Sequence, residues 1–193
     1  MVCLKRSHCR GPKLGGKRFA LLSDRQSGLS VAAARQRWGD YDKVYLVITN
    51  FGSRLVEFHA RQVNIGGRGG AWKKPVNLTI LSSNGGGAWI YFGGDPTGVM
   101  PSTAVWEPVP TSPQARKVIG QDPISQADLK LESQELQKLS SQLKPALRVQ
   151  LHSRLLQPQV ILAGCLFFPR RRHGHWRQLR VELAGVKFVL PLK

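Results

Sequence analysis

The densest group of side chains that could do chemistry lies between residues 170 and 177. It combines four arginines, two histidines and a tryptophan: Arg170, Arg171, Arg172, His173, His175, Trp176 and Arg177. Guanidinium groups bind phosphates in a bidentate manner, and a tryptophan ring stacks on a base or a sugar. We therefore interpret this segment as a candidate polyanion-binding loop. The alternative is a solvated turn, because most charge runs are solvated faces.

Metal and phosphate-loop chemistry are only weakly indicated. His173 and His175 would share a face in a strand, but no third ligand is near in sequence, whereas a structural zinc site needs four. The spacing of Cys3, His8 and Cys9 matches no standard zinc motif. The glycine-rich segment 66–70 lacks the Gly-Lys-Ser/Thr ending of a P-loop, which favours a mobile loop. No metal and no cofactor are expected.

The sequence contains no recognisable catalytic motif. There is no G-x-S-x-G nucleophile elbow. Only 11 of the residues are acidic, which leaves little material for paired-carboxylate chemistry. We expect a protein that binds rather than catalyses, while a site assembled from distant residues stays open.

The net charge of +18, from 29 basic and 11 acidic residues, is concentrated in two parts of the chain. Residues 1–40 and 146–193 are strongly basic, whereas 121–145 is slightly acidic. Such a field favours polyanionic partners, namely nucleic acid, anionic lipid, acidic polysaccharide or an acidic protein. It does not choose between them.

Cysteine content and hydropathy exclude two further classes. The three cysteines are Cys3, Cys9 and Cys165, and their spacing indicates no disulfide framework. Cys165 lies in the apolar run 160–168, so we expect a buried small side chain rather than a reactive thiol. No stretch has the roughly 18 apolar residues of a membrane span. The N-terminus as given has no continuous apolar region, and no secretory signal is expected in it.

Alternation of β-branched, aromatic and polar residues predicts a chain of short strands. A weak strand signal lies at 19–22 and an edge strand at 103–106, and Gly164 is expected to mark a bulge. Ala184-Gly185 suits a two-residue hairpin turn. The main predicted strands are 43–50, 54–59, 63–65, 76–81, 88–92, 147–151, 160–168, 179–183 and 186–190.

One amphipathic helix is predicted at about 125–144, in a crossover connection. Leu129, Leu136, Leu139 and Leu143 fall on one face, and Pro145 is expected to end the helix. Because that face is narrow, the helix should lie on the sheet rather than inside the core.

Short strands, Gly and Pro turns, and no βαβ alternation together predict a mainly β protein, an antiparallel β-sandwich, with a barrel as the alternative. Residues 1–27 are interpreted as a basic, partly flexible arm, and 28–193 as a single sandwich domain that includes the helix.

Two stretches resemble a known group of proteins. In 155–193, a strand with a central glycine ends in Phe-Phe-Pro and is followed by a polar loop and two closing strands; in 44–58, VYLVITNFGSRLVEF turns at an asparagine. Both resemble uncharacterised exported bacterial proteins with immunoglobulin-like domains, over roughly 43–65 and 155–193. The resemblance implies an immunoglobulin-like sandwich in the cell envelope or periplasm, and it carries no catalytic residues.

These observations lead to two functional hypotheses. The first is a non-catalytic interaction or assembly module with a protein partner, associated with the cell envelope. The second is a protein that binds nucleic acid or another polyanion through the basic arm and the 170–177 loop. An enzyme has the least support, and the oligomeric state is not indicated.

Overall fold

The computed structural model describes residues 11–67, 71–76, 78–82, 88–92, 109–110, 133–170 and 176–192. Within these ranges the fold is mainly β, as predicted. The strands are β1 (Lys13–Leu14), β2 (Lys17–Arg18), β3 (Ala20–Asp24), β4 (Leu29–Trp38), β5 (Tyr41–Asn50), β6 (Val56–Phe58), β7 (Val63–Gly66), β8 (Leu78–Ser82), β9 (Ala88–Phe92), β10 (Val109–Pro110), β11 (Arg154–Leu156), β12 (Val160–Pro169), β13 (Gln178–Leu183) and β14 (Val186–Pro191). A 3-10 helix spans Ala60–Gln62.

The strands form antiparallel sheets. The largest has five strands in the order β10-β12-β5-β4-β3, and a second has the order β14-β13-β7. The pairs β1-β2, β6-β11 and β8-β9 complete the set. The predicted strand 103–106 lies outside the described residues.

The main core lies between the two larger sheets, so the predicted sandwich is confirmed. The five-stranded sheet contributes alternate residues such as Val31, Leu46 and Leu162, and the opposite sheet contributes Val181 and Phe188, all buried. Each such side chain stabilises the fold by about 1.5–3 kcal/mol when it leaves water. Cα atoms of β14 also approach those of β3 within 8 Å, which closes one side of the sandwich.

The other face of the five-stranded sheet carries the helix. Residues 133–138 are helical, and helix α1 follows at Ser140–Ala146. Leu136 and Leu143 of the predicted leucine stripe are buried there, with Leu139 packed beside them. Leu129 and the predicted start at residue 125 lie outside the described residues. Pro145 sits in the last turn instead of ending it, because the Leu147 N–H donates to the Leu143 carbonyl at 3.0 Å.

Residues 11–27 are not an arm, which corrects the predicted boundary at residue 27. Leu14 and Phe19 are each only 1% exposed and pack beneath the helix. β3 pairs with β4 from Ala20↔Ala33 to Asp24↔Leu29 and so forms an edge of the five-stranded sheet. The apolar residues among the basic ones anchor this segment in the fold. Residues 1–10 lie outside the described residues.

Gly164 is not at a bulge, because β12 pairs with β5 in unbroken register from Val160↔Asn50 to Pro169↔Tyr41. A Cβ atom at Gly164 would lie 2.5 Å from Cγ of Leu151. The glycine therefore makes room for the chain that approaches the outer edge of β12. That chain is the predicted strand 147–151. It makes a single parallel bridge to β12, Gln150↔Cys165, and does not form a full strand.

Asn50 holds together the end of the sandwich where β5 finishes. Its side chain is fully buried, and its Nδ2 donates to the carbonyl oxygens of Arg54, Leu156 and Gln157 at 2.8, 3.3 and 3.1 Å. Its Oδ1 accepts a hydrogen bond from the Gly52 N–H at 3.0 Å. One amide thus satisfies backbone groups from two turns that are distant in sequence.

Candidate functional site

The base of the predicted polyanion-binding loop is fixed by its own tryptophan. Trp176 Nε1 donates to the carbonyl oxygen of Pro169 at 3.0 Å, which closes the segment between them. Arg35 Nη1 donates to the carbonyl oxygen of Trp176 at 3.1 Å. We call Pro169, Arg170, Trp176 and Arg177 the loop neck. Its geometry is set by this internal hydrogen bond and by contacts to the sheet.

The two arginines of the loop neck are held by their backbones. The Arg170 N–H donates to the Asp40 carbonyl oxygen at 3.0 Å, and the Arg177 N–H donates to that of Gly66, also at 3.0 Å. The Arg177 carbonyl oxygen accepts from the Leu192 N–H at 2.8 Å. Both side chains are exposed. They therefore project from a rigid base at one end of the sandwich, which we call the basic end.

Trp176 does not have the predicted stacking role. Its side chain is only 6% exposed and belongs to the main core. A buried ring cannot present its face to a base or a sugar, so this part of the prediction is wrong. Arg171, Arg172, His173 and His175 lie outside the described residues, as do residues 68–70 of the glycine-rich segment.

Lys73 and Lys74 are brought to the same end. Lys73 and Ile65 exchange two backbone hydrogen bonds of 2.8 and 2.9 Å, and the Val76 N–H donates to the Phe167 carbonyl oxygen at 2.8 Å. This segment therefore connects the free edge of β7 with the outer edge of β12. Both lysines are exposed beside the loop neck's attachment to β7. Lys73 and Arg177 are thus both hydrogen-bonded to β7, at the neighbouring residues Ile65 and Gly66.

A second surface at this end was not predicted. It comprises side chains on the outer face of the five-stranded sheet together with one lysine from β2, and we call it the aromatic face: Lys17, Gln36, Trp38, Tyr41, Lys43, Tyr45 and Phe167. Alternation explains their common side, because the intervening residues of β4, β5 and β12 face the main core. All but Phe167 keep part of their surface exposed.

Two ammonium groups lie over one ring on the aromatic face. Nζ of Lys17 and of Lys43 are 5.3 and 5.2 Å from the ring centre of Tyr45, and Nζ of Lys43 is 5.5 Å from that of Phe167. These are cation–π distances. Neither lysine forms an ion pair with a carboxylate in the described part of the chain. Burial, and to a lesser degree the neighbouring Cys165, raises the pKa of Tyr45.

Cys165 lies beneath this surface and is fully buried, as predicted. Burial raises the pKa of its thiol to about 11, even though the nearby Lys43 ammonium acts in the opposite direction. A buried, protonated thiol is a poor nucleophile. Cys165 therefore serves packing, together with Phe167 and Tyr45.

Metal ligands do not converge anywhere in the described ranges, where no three His, Cys, Asp or Glu side chains form a group that would hold an ion. Over the same residues, no helix is long and apolar enough to span a bilayer. Comparison with protein-family models, curated proteins and solved structures returned no match to this chain.

Proposed function

We propose that this protein is a non-catalytic binding module whose ligand is a polyanion, bound at the basic end. One observation carries the proposal: the exposed Arg170 and Arg177 project from a rigid loop neck beside the exposed Lys73 and Lys74. Cations that are already in place bind an anionic chain without an ordering cost at their backbone.

Among the described residues, no carboxylate forms an ion pair with the four cations of the basic end. The ion pairs in that part of the chain join His59 to Glu57, Lys138 to Glu135, and Arg180 and Lys187 to Glu182. An anionic ligand would therefore meet guanidinium and ammonium groups that these carboxylates leave unpaired, and its binding would release counterions.

Binding of inorganic polyphosphate tests the proposal, because this probe has charge but no bases. The double variant Arg170→Ala/Arg177→Ala should bind about tenfold more weakly at low salt, with a salt slope reduced by about two. The matched control is Arg54→Ala/Arg61→Ala, which removes two exposed charges near the opposite end. No binding of polyphosphate at low salt, or an equal loss in both double variants, would contradict the proposal.

Assembly with a protein partner in the cell envelope, which the resemblance to immunoglobulin-like exported proteins implies, is a second candidate. Leu55, just before β6, and Leu155, within β11, are each 61% exposed at the small sheet that these two strands form. Exposed large apolar side chains in proximity favour protein contacts. Fractionation of cells that express the full gene tests the setting, and recovery only in the cytosol would contradict it.

A further inference from the structure

We propose that the polyanion is a single-stranded nucleic acid, whose phosphates bind Lys17 and Lys43 while its bases stack on Trp38 and Tyr41. The inference rests on the proposed function and names its ligand class. The aromatic face supplies what the loop neck lacks, namely partly exposed rings beside cations.

Alternation along β5 places a ring, a cation and a second ring in one row. Tyr41, Lys43 and Tyr45 point to the same face, at a spacing of about 7 Å between successive members. Trp38 is the direct cross-strand neighbour of Tyr41. Single strands are bound by surfaces that combine a positive track along the backbone with aromatic rings for successive bases.

The two lysines are suited to the phosphates. Their ammonium groups lie 5.3 and 5.2 Å from the same ring centre, so the phosphates of one strand that crosses this ring can contact both. In the described ranges no carboxylate pairs with either lysine. An anionic strand would supply the counter-charge that these two cations lack there. Because both cations lie over Tyr45, that ring supports the phosphate site rather than a base.

Trp38 is held in place for stacking. Its ring centre lies 5.1 Å from that of Phe167, which is buried, and the two planes are tilted by 53°. Trp38 itself remains partly exposed. A fixed, partly exposed ring loses little entropy when a base stacks on it.

The aromatic face is continuous with the basic end. Trp38 and Tyr41 flank the turn between β4 and β5, and the carbonyl oxygen of Asp40 in that turn accepts the Arg170 N–H. A strand that crosses the aromatic face would therefore arrive at the loop neck. Duplex DNA keeps its bases stacked inside, and a lipid surface has phosphates but no planar rings. Of these three ligands, only a single strand uses both parts of the surface.

Fluorescence anisotropy with a labelled 12-nucleotide single strand tests the inference, beside a duplex with the same number of phosphates, vesicles of phosphatidylglycerol and phosphatidylcholine, and polyphosphate. The single strand should bind most tightly. Trp38→Leu should weaken binding of the single strand by about 5- to 100-fold and leave polyphosphate binding unchanged. Trp38→Phe should retain most of the affinity for the single strand, because it keeps an aromatic ring. Lys17→Ala/Lys43→Ala should weaken both probes.

The outcomes separate the two proposals. If Trp38→Leu weakens both probes equally, or if the duplex or the vesicles bind as tightly as the single strand, the inference fails and polyanion binding stands. If neither polyphosphate nor the single strand binds, both fail. Thermal unfolding of each variant checks the fold. In the unmodified protein, the single strand should quench tryptophan fluorescence and polyphosphate should not, and equal quenching by both would also contradict the inference.

Discussion

Trp38 and Phe167 are in ring contact although their strands are not neighbours. Their ring centres are 5.1 Å apart, yet β5 lies between β4 and β12. The Trp38 side chain therefore leans across the middle strand. This contact joins β4 and β12, the two strands on either side of β5, through their side chains. It adds to the backbone hydrogen bonds that each of them makes with β5.

This contact predicts a measurable coupling. In a double-mutant cycle with Trp38→Leu and Phe167→Leu, the free energies of unfolding should be non-additive by about 0.5–1.5 kcal/mol, the usual range for an aromatic pair. Urea denaturation at neutral pH measures each corner of the cycle. Strict additivity would show that the two rings do not stabilise each other.

Replacement of Asn50 is expected to destabilise the protein strongly. Asn50→Ala leaves the buried carbonyl oxygen of Leu156 and the N–H of Gly52 without their partner, which should cost about 2–4 kcal/mol. Asn64→Ala is the matched control. The one hydrogen bond described for the Asn64 side chain runs from its Nδ2 to the carbonyl oxygen of Gln62, at 3.2 Å. Denaturant midpoints compare them, and equal losses would contradict the role given to Asn50.

Gly164 should tolerate no side chain while Leu151 is present. A Cβ atom there would also approach the Val149 carbonyl oxygen to 3.0 Å, so Gly164→Ala should cost about 1–3 kcal/mol through overpacking. In a Leu151→Ala background the same change should cost less, because the clashing side chain is gone. If Gly164→Ala costs as much in that background, the clash with Leu151 is not the cause.

The thiol of Cys165 should make stability depend on alkaline pH. Burial raises its pKa to about 11 in the folded protein, above the ordinary thiol value of 9.0, so the folded state holds the proton more tightly. The stabilisation is complete below pH 9 and is lost as the pH rises towards 11, on the order of 2 kcal/mol. Cys165→Ala should lack this decline, measured in a Cys3→Ser/Cys9→Ser background. A pH-independent difference between the two proteins from pH 8 to 11 would contradict it.

Much of the fold was predictable because its strands follow the ordinary β pattern. The runs at β5, β9, β13 and β14 combine β-branched or aromatic residues with clear turns, and the structure has strands there. β4 was missed because Ala32, Ala33 and Ala34 carry little strand preference. Small residues suit this position, since Ala32 and Ala34 pack against the layer that contains the helix and the β1-β2 segment.

The candidate site was predictable only in part. Charge density pointed to Arg170 and Arg177, which are exposed at the loop neck. Trp176 is buried because it bonds to Pro169 and packs into a core formed by strands from distant parts of the chain. The residues around Trp176 in the sequence do not indicate this burial. The aromatic face depends on the pairing of β4, β5 and β12. To predict it from the sequence, one would need to know which alternate residues of these three strands share a face, and hence how the strands pair.

The outer edge of β12 is paired with residues from three distant parts of the chain: Val76, Val109–Pro110 and Gln150. Its inner edge pairs with β5, from which it is more than a hundred residues distant in sequence. β3, β4 and β5 can form local hairpins early, but the sheet cannot be completed before β12 has been synthesised. Contacts of such long range fold slowly. The nascent chain therefore carries an unfinished sheet, with one edge of β5 unpaired, until β12 has emerged.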